Sequence, residues 1–265
     1  MAAPDAGGTP RRSATVVRPI PLVQTSKRRA SVGAVIPVSA PPRVRDRLLA
    51  APEGPVRVVH RGSHAVYLEV DGWCVGVVDQ HAVQVPCALG TLTGDLGELG
   101  AGPAYLLDGV LHLSGVPLVI GRLRRVEVPA LSVDTALRPG PVAPMDTDAV
   151  NHLVGAGDGL TPRGDDVLCG WLAMHRAAGA PSPEVDEAVR MRMQETTLLS
   201  ATLLDCAMHG EVLPQFSAYV HALGTPAQAG AERDLLAVGH STGSGLLEGA
   251  RWAAAELCAS VGEPA

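Results

Sequence analysis

The chain is poor in aromatic rings and has almost no lysine. Phe, Tyr and Trp make up 3% of its 265 residues, and Lys27 is the sole lysine. So few rings leave no platforms on which single-stranded bases would stack. A net charge of −6 likewise lacks the basic footprint of a nucleic-acid binder. With one lysine near the N-terminus, the body of the chain has no Schiff-base lysine, and no G-x-x-x-x-G-K-[ST] phosphate loop occurs. The five cysteines (Cys74, Cys87, Cys169, Cys206 and Cys258) are odd in number and form no C-x-x-C. Buried thiols in a reducing cytoplasm are therefore expected, not a disulfide framework. No apolar run reaches the roughly 18 residues of a spanning helix. Arg11 and Arg12 precede a broken Val/Ile run with no continuous signal-peptide core.

Apolar residues nonetheless make up 46% of the chain, so an aliphatic core of Val, Leu and Ala is available. Residues 1–29 read as a flexible tail, rich in Pro, Gly, Ser and Thr and closing on Lys27-Arg28-Arg29. Residues 30–130 read as β. Short β-branched runs fall at 56–60, 65–70, 73–78, 104–107, 110–113, 116–120 and 124–128, and 48–51 closes a short helix. Asp71-Gly72 and Asp108-Gly109 sit between paired runs as two-residue hairpin turns. The expected form is an antiparallel sheet, sandwich or small barrel. Residues 131–144 are Pro-rich and read as a linker. From 145 to 265 the period becomes helical, with helices expected near 146–154, 165–179, 183–195, 197–209, 212–223, 228–238 and 245–259. The fold class is α+β, a β-rich N-terminal half followed by an all-helical C-terminal half.

The densest local constraint lies at Gly155-Ala-Gly-Asp-Gly-Leu-Thr-Pro-Arg-Gly-Asp-Asp166. Its glycines permit positive φ and a close ligand approach, and Pro162 pushes Thr161 out of the helical region. Two carboxylates then meet an apolar helical run. The expectation is a shaped loop that delivers Asp165 and Asp166 to a helix N-terminus whose free N–H groups hold an oxygen ligand. The plainer alternative is a turn with Asp165 as an N-cap. A second cluster, Glu195-Thr196-Thr197-Leu-Leu-Ser200, puts hydroxyls on one helix face, where they line a pocket or simply permit close helix packing. A third, Gly239-His-Ser-Thr-Gly-Ser-Gly245, spells G-x-S-x-G around Ser241. A nucleophile elbow needs a preceding strand and a later histidine. The preceding residues read as helix, and no histidine follows His240. A ligand-holding loop with His240 as acid–base group is the better reading. His60 and His64, and Cys74, His81 and Cys87, lack a zinc-site spacing. Asp165 and Asp166 are candidate ligands for Mg2+ carried by a phosphate, or acceptors for ureido, amide or amino N–H groups. Arg163 beside them offers a fork to a carboxylate or phosphate.

Taken in order, G-x-G-x-G-L-T-P-x-G-D-D at 155–166, T-T-x-x-S-A at 196–201 with Gly210-Glu211-Val212, and G-H-x-x-G at 239–243 resemble a domain-of-unknown-function family. That family is related to AllH, the third subunit of bacterial oxamate carbamoyltransferase, and the likeness extends weakly back to about Ala30. The resemblance implies a bacterial transferase of nitrogen metabolism that moves a carbamoyl group between a ureido compound such as oxalurate and phosphate. It also implies two other subunit types as partners. Two positions depart from the pattern. Arg163 stands where the family usually has serine, and Gly245 where it usually has aspartate, which alters the charge of the pocket.

The functional expectation is an enzyme or catalytic subunit acting on a small nitrogenous acid. Asp165, Asp166 and His240 are the catalytic candidates. Gly157, Gly159, Thr161, Arg163, Gly164, Thr196, Thr197, Ser200, Ser241, Thr242 and Gly243 are the substrate-binding ones. The alternatives are a scaffold subunit of a carbamoyltransferase assembly and a stand-alone enzyme of specialised metabolism. A homodimer is the default assembly; neither nucleic acid nor membrane is an expected partner.

Overall fold

Hydrophobic alternation and three tight turns generate the N-terminal half. In the computed structural model, which describes residues 35–133 and 143–261, eight strands close into a barrel in the order β1-β5-β4-β3-β2-β6-β7-β8. They are β1 (Ile36–Ala40), β2 (Gly54–Arg61), β3 (Ala65–Val70), β4 (Trp73–Val78), β5 (Ala88–Thr91), β6 (Ala104–Leu107), β7 (Val110–Leu113) and β8 (Val116–Leu123). Helix α1 (Pro42–Ala50) follows β1, and a short α2 (Gly97–Ala101) precedes β6. Asp71-Gly72, Asp108-Gly109 and Ser114-Gly115 all have positive φ, as two-residue hairpins require. The sheet is mixed, because β1 runs parallel to β8 and β4 parallel to β5. Closure leaves no sheet edge, and residues such as Val66, Leu68, Leu89, Leu106 and Leu111 fill the interior.

The structure corrects several expectations for this half. β1 and β5 carry no clean alternation, and Pro37 and Gly90 interrupt their patterns, so the sequence hides them. No strand occupies 124–128. That segment leaves the barrel and crosses to the helices, where Glu127 bridges Glu211, Val128 N–H donates to Gly210 C=O, and Val212 N–H donates to Val126 C=O. The expected tail, 1–29, and the middle of the expected linker, 134–142, lie outside the described residues.

The helical half comprises α3 (Thr147–Leu153), α4 (Arg163–Ala177), α5 (Pro183–Arg192) with a 3-10 turn (Met193–Glu195), α6 (Leu198–Met208), α7 (Pro214–Ala222), α8 (Gln228–Leu236) and α9 (Thr242–Val261). Asp146, Ser182 and Thr197 cap α3, α5 and α6 through their side chains. α4 is the central helix, buried from Gly164 through His175. It packs on α9 backbone to backbone. A Cβ at Gly170 would lie 2.1 Å from Leu246 C=O, and one at Gly249 would lie 1.9 Å from Val167 C=O. α6 joins the two halves, since Leu199 and Cys206 belong to the barrel's core cluster and Thr202 Oγ1 accepts from Cys74 N–H at 2.9 Å. Barrel and helices therefore lie in one compact unit.

Candidate functional site

The glycine loop runs from the end of α3 into α4 and is shaped by contacts only glycine permits. Gly155, Gly157 and Gly159 have φ of 71°, 117° and 95°. A Cβ at Gly155 would lie 2.5 Å from Glu195 C=O, so the loop touches the segment leading into α6. α4 begins at Arg163, two residues earlier than its sequence suggests. Asp165 and Asp166 therefore sit within the first turn, and Asp165 is not the N-cap. The helix terminus is also closed by the chain itself. Gly164 N–H donates to Ala156 C=O at 2.8 Å and Asp165 N–H to Pro162 C=O at 3.0 Å. The expected row of free N–H groups for an anion is not offered there.

The two carboxylates have opposite situations. Asp165 is fully buried. Its Oδ1 accepts from Gly155 N–H at 2.8 Å, and its Oδ2 accepts from Ser200 Oγ at 2.6 Å and from Thr196 Oγ1. Asp165 is thus the clamp that ties the glycine loop to α6. Thr197 adds to the clamp by donating to Leu160 C=O at 2.6 Å while accepting from Ser200 N–H at 3.0 Å. Asp166 is 3% exposed, and its Oδ2 has no hydrogen-bond partner among the described residues. Burial pushes its carboxyl up to about 7, and the charge of Asp165 adds to the rise. The Thr242 and Thr161 hydroxyls and the Arg163 cation oppose it. With both oxygens of Asp165 taken by protein donors, the pair does not present two free carboxylates to Mg2+.

The third block meets the first through hydroxyls. Thr161 Oγ1 and Thr242 Oγ1 are 3.0 Å apart. Gly243 lets α9 start against α8, since a Cβ there would lie 1.9 Å from Leu235 C=O. Ser241 follows α8 and not a strand, and its carbonyl accepts from Gly245 N–H and Ser244 Oγ. His240 is exposed and forms no hydrogen bond with the described residues. Arg163 turns outward to Glu248 of α9 at 2.6 Å, both half-exposed. A Cβ at Gly245 would lie 2.7 Å from Asp166 Cβ, so this backbone has no room for a side chain there.

A cavity of about 40 Å3 opens at Asp166, between the helical half and the barrel. Thr242, Cys169, Phe216 and Leu246 line it from the helices, Glu211 from the turn after α6, and Pro86 from the barrel. Burial, with the charges of Asp166 and Asp165 next, holds the Cys169 thiol well above its ordinary range, so it is not a ready thiolate. Glu211 is buried but compensated by Arg43 Nη1 at 2.6 Å. Arg43 also holds Asp205 at 2.5 Å, and Trp73 Nε1 donates to the same carboxylate at 3.1 Å. Asp166 alone faces the cavity with neither a cation at contact distance nor a full set of donors.

The predicted residues divide accordingly. Thr196 and Ser200 converge on Asp165, Thr161 and Thr242 converge on Asp166, and Gly157, Gly159 and Gly164 shape the loop between them. Gly243 seats α9, while His240, Ser241 and Arg163 do not line the cavity. Pro86, Phe216 and Arg43 also belong to this wall or support it, and no sequence pattern marks them. The only signal for this wall was Glu211 in Gly210-Glu211-Val212, which carried no hint of its barrel partner.

Barrel, helical half and buried acid together define a two-part α+β protein with a small cavity where the parts meet. Residues 153–254 match the model of a family described as "Oxamate carbamoyltransferase subunit AllH", and the chain is related to that family. The match spans all three sequence blocks. No solved structure matches the chain. Among the described residues no helix is long and apolar enough to cross a membrane.

Proposed function

We propose that this chain is a subunit of a carbamoyl-transferring enzyme and that its cavity takes the nitrogen end of a small ureido or amide substrate. The observation that carries this reading is Asp166, a buried carboxyl raised to about 7 with an unsatisfied oxygen at the cavity. A carboxyl of that kind accepts an N–H when ionised and donates a proton when neutral. The cavity lining adds the carboxylate of Glu211 and no cation, which favours a ligand rich in N–H groups. In the direction that breaks a ureido compound, a phosphate oxygen attacks the carbamoyl carbon. The C–N bond to the leaving amide breaks, and Asp166 gives its proton to that nitrogen. In reverse, the amide nitrogen attacks the carbamoyl carbon, phosphate leaves, and Asp166 takes the proton. Asp165 acts through Asp166 and the loop, as a positioning residue. His240 remains a candidate only if the loop that carries it closes over bound substrate.

A cavity of about 40 Å3 favours a second reading beside this one. That space holds little more than a water or two. A partner subunit would then complete the pocket, and this chain would contribute the acid and the scaffold without turning over alone. The test is carbamoyl phosphate formation from oxalurate and phosphate, by the chain alone and in its co-purified assembly. Positioned acid–base groups contribute about 10²–10⁴-fold, so Asp166→Asn should lower the rate by at least about 100-fold with the assembly intact. An unchanged rate would remove Asp166 from the chemistry.

A further inference from the structure

On the side of the barrel where β1, β5 and β8 meet, a second cleft of about 720 Å3 has a cationic lining. Arg122, Arg124 and Arg125 line it beside Gln80 and Gln84, and no Asp or Glu does. In a chain of net charge −6 this reverses the overall sign. Several arginines elsewhere, Arg43, Arg57, Arg163, Arg176, Arg192 and Arg251 among them, each reach a carboxylate, whereas Arg47 and Arg61 reach only backbone carbonyls. Among the described residues, none of the three cleft arginines reaches a carboxylate.

Arg124 is held in place and part-buried. Its Nη2 donates to Val85 C=O at 2.7 Å and to Ala88 C=O at 3.0 Å, while its Nε is buried without a partner. Burial pulls the guanidinium below its ordinary range, and no carboxylate opposes the shift. A part-buried cation without a counter-charge is costly, and an oxyanion that meets Nη1 from the cleft relieves it. The cleft also backs onto the cavity at Asp166. Pro214 lines the cleft and Leu213 the cavity; Gln84 lines the cleft and Pro86 the cavity. The same two chain segments separate them, and Arg124 grips the carbonyls on either side of Pro86.

We infer that the cleft between β1, β5 and β8 binds the oxyanion group of a small molecule, a phosphate or a carboxylate, on Arg122, Arg124 and Arg125. This site does not depend on the role given to Asp166. Isothermal titration of the full chain with inorganic phosphate and with malonate, at constant ionic strength with chloride as control, tests it. Saturable binding of one anion is expected, weakened tenfold or more by Arg122→Ala/Arg125→Ala. Both of those residues are exposed, so the fold should persist. Arg124→Lys keeps the charge but cannot hold the Val85 and Ala88 carbonyls and still offer a planar N–H to the anion, and should weaken binding as well. Asp166→Asn should bind as the parent does. Preference for phosphate assigns a phosphate-bearing ligand, and preference for malonate a carboxylate-bearing one. Two outcomes overturn the site: no saturable binding of either anion to the parent, or parent-like affinity in the double variant.

Discussion

Asn in place of Asp166 should make the protein more stable as pH rises. The folded carboxyl sits at about 7 against an ordinary value of 3.8. A pKa raised by folding means that the fold favours the protonated form. The stability it contributes is fully present below about pH 4 and is lost as pH climbs through 7. At about 1.4 kcal/mol per unit, the loss approaches roughly 4 kcal/mol by pH 8 to 9. Asn keeps the shape and cannot ionise, so it escapes that loss. Urea unfolding of both proteins at pH 5, 7 and 9 reads the effect. The difference in unfolding free energy should grow by a few kcal/mol across that range in favour of Asp166→Asn, because titrations common to both proteins cancel. A pH-independent difference would show that Asp166 ionises as a solvated carboxylate. The gain should come with lost function, as it does wherever a buried acid is kept for chemistry.

Other substitutions probe the surroundings. Asp165→Ala leaves Gly155 N–H and the Thr196 and Ser200 hydroxyls without their acceptor; urea unfolding should show a loss of roughly 3–5 kcal/mol. Gly245→Asp would drive a Cβ to within 2.7 Å of Asp166 Cβ and set a second acid beside a buried one. It should destabilise the chain by several kcal/mol, about the scale of core overpacking plus an unpaired buried charge, and lower its melting temperature. Thr242→Val removes a hydroxyl that holds the Asp166 carboxyl down. Carboxyl-carbon NMR titration should then place Asp166 above 7, with the fold preserved.

The helical half is largely written in its sequence, because 3.6-residue periodicity and the caps at Asp146 and Ser182 act locally; that Thr197 caps α6 instead of standing on its face is seen only in the structure. The hairpins at Asp71-Gly72 and Asp108-Gly109 are legible for the same reason. Barrel closure is not. It depends on β1 meeting β8 in parallel, a pairing between residues some 80 apart that no local pattern encodes. At the site, the three blocks identify which residues converge, since Thr196 and Ser200 do reach Asp165 and Thr242 does reach Thr161. Their division of labour is invisible in sequence. Asp165 and Asp166 are adjacent and alike in type, and only the direction each takes from the helix makes one a clamp and the other an unsatisfied acid. The exposure of His240 and the pairing of Arg163 with Glu248 are likewise set by how α9 leaves its loop.

If Asp166 binds the nitrogen end of a small ureido or amide ligand, that ligand should stabilise the fold through Asp166. The most direct measurement is a thermal-shift titration of the chain, alone and in its assembly, with oxalurate, oxamate and related ureido and amide compounds at pH 6 and pH 8. A ligand at a hundred times its dissociation constant should stabilise the parent by about 2.7 kcal/mol. At least one compound should do so, and Asp166→Asn should abolish the shift. No stabilisation by any of them, or an equal shift in the variant, would place the ligand elsewhere than on Asp166.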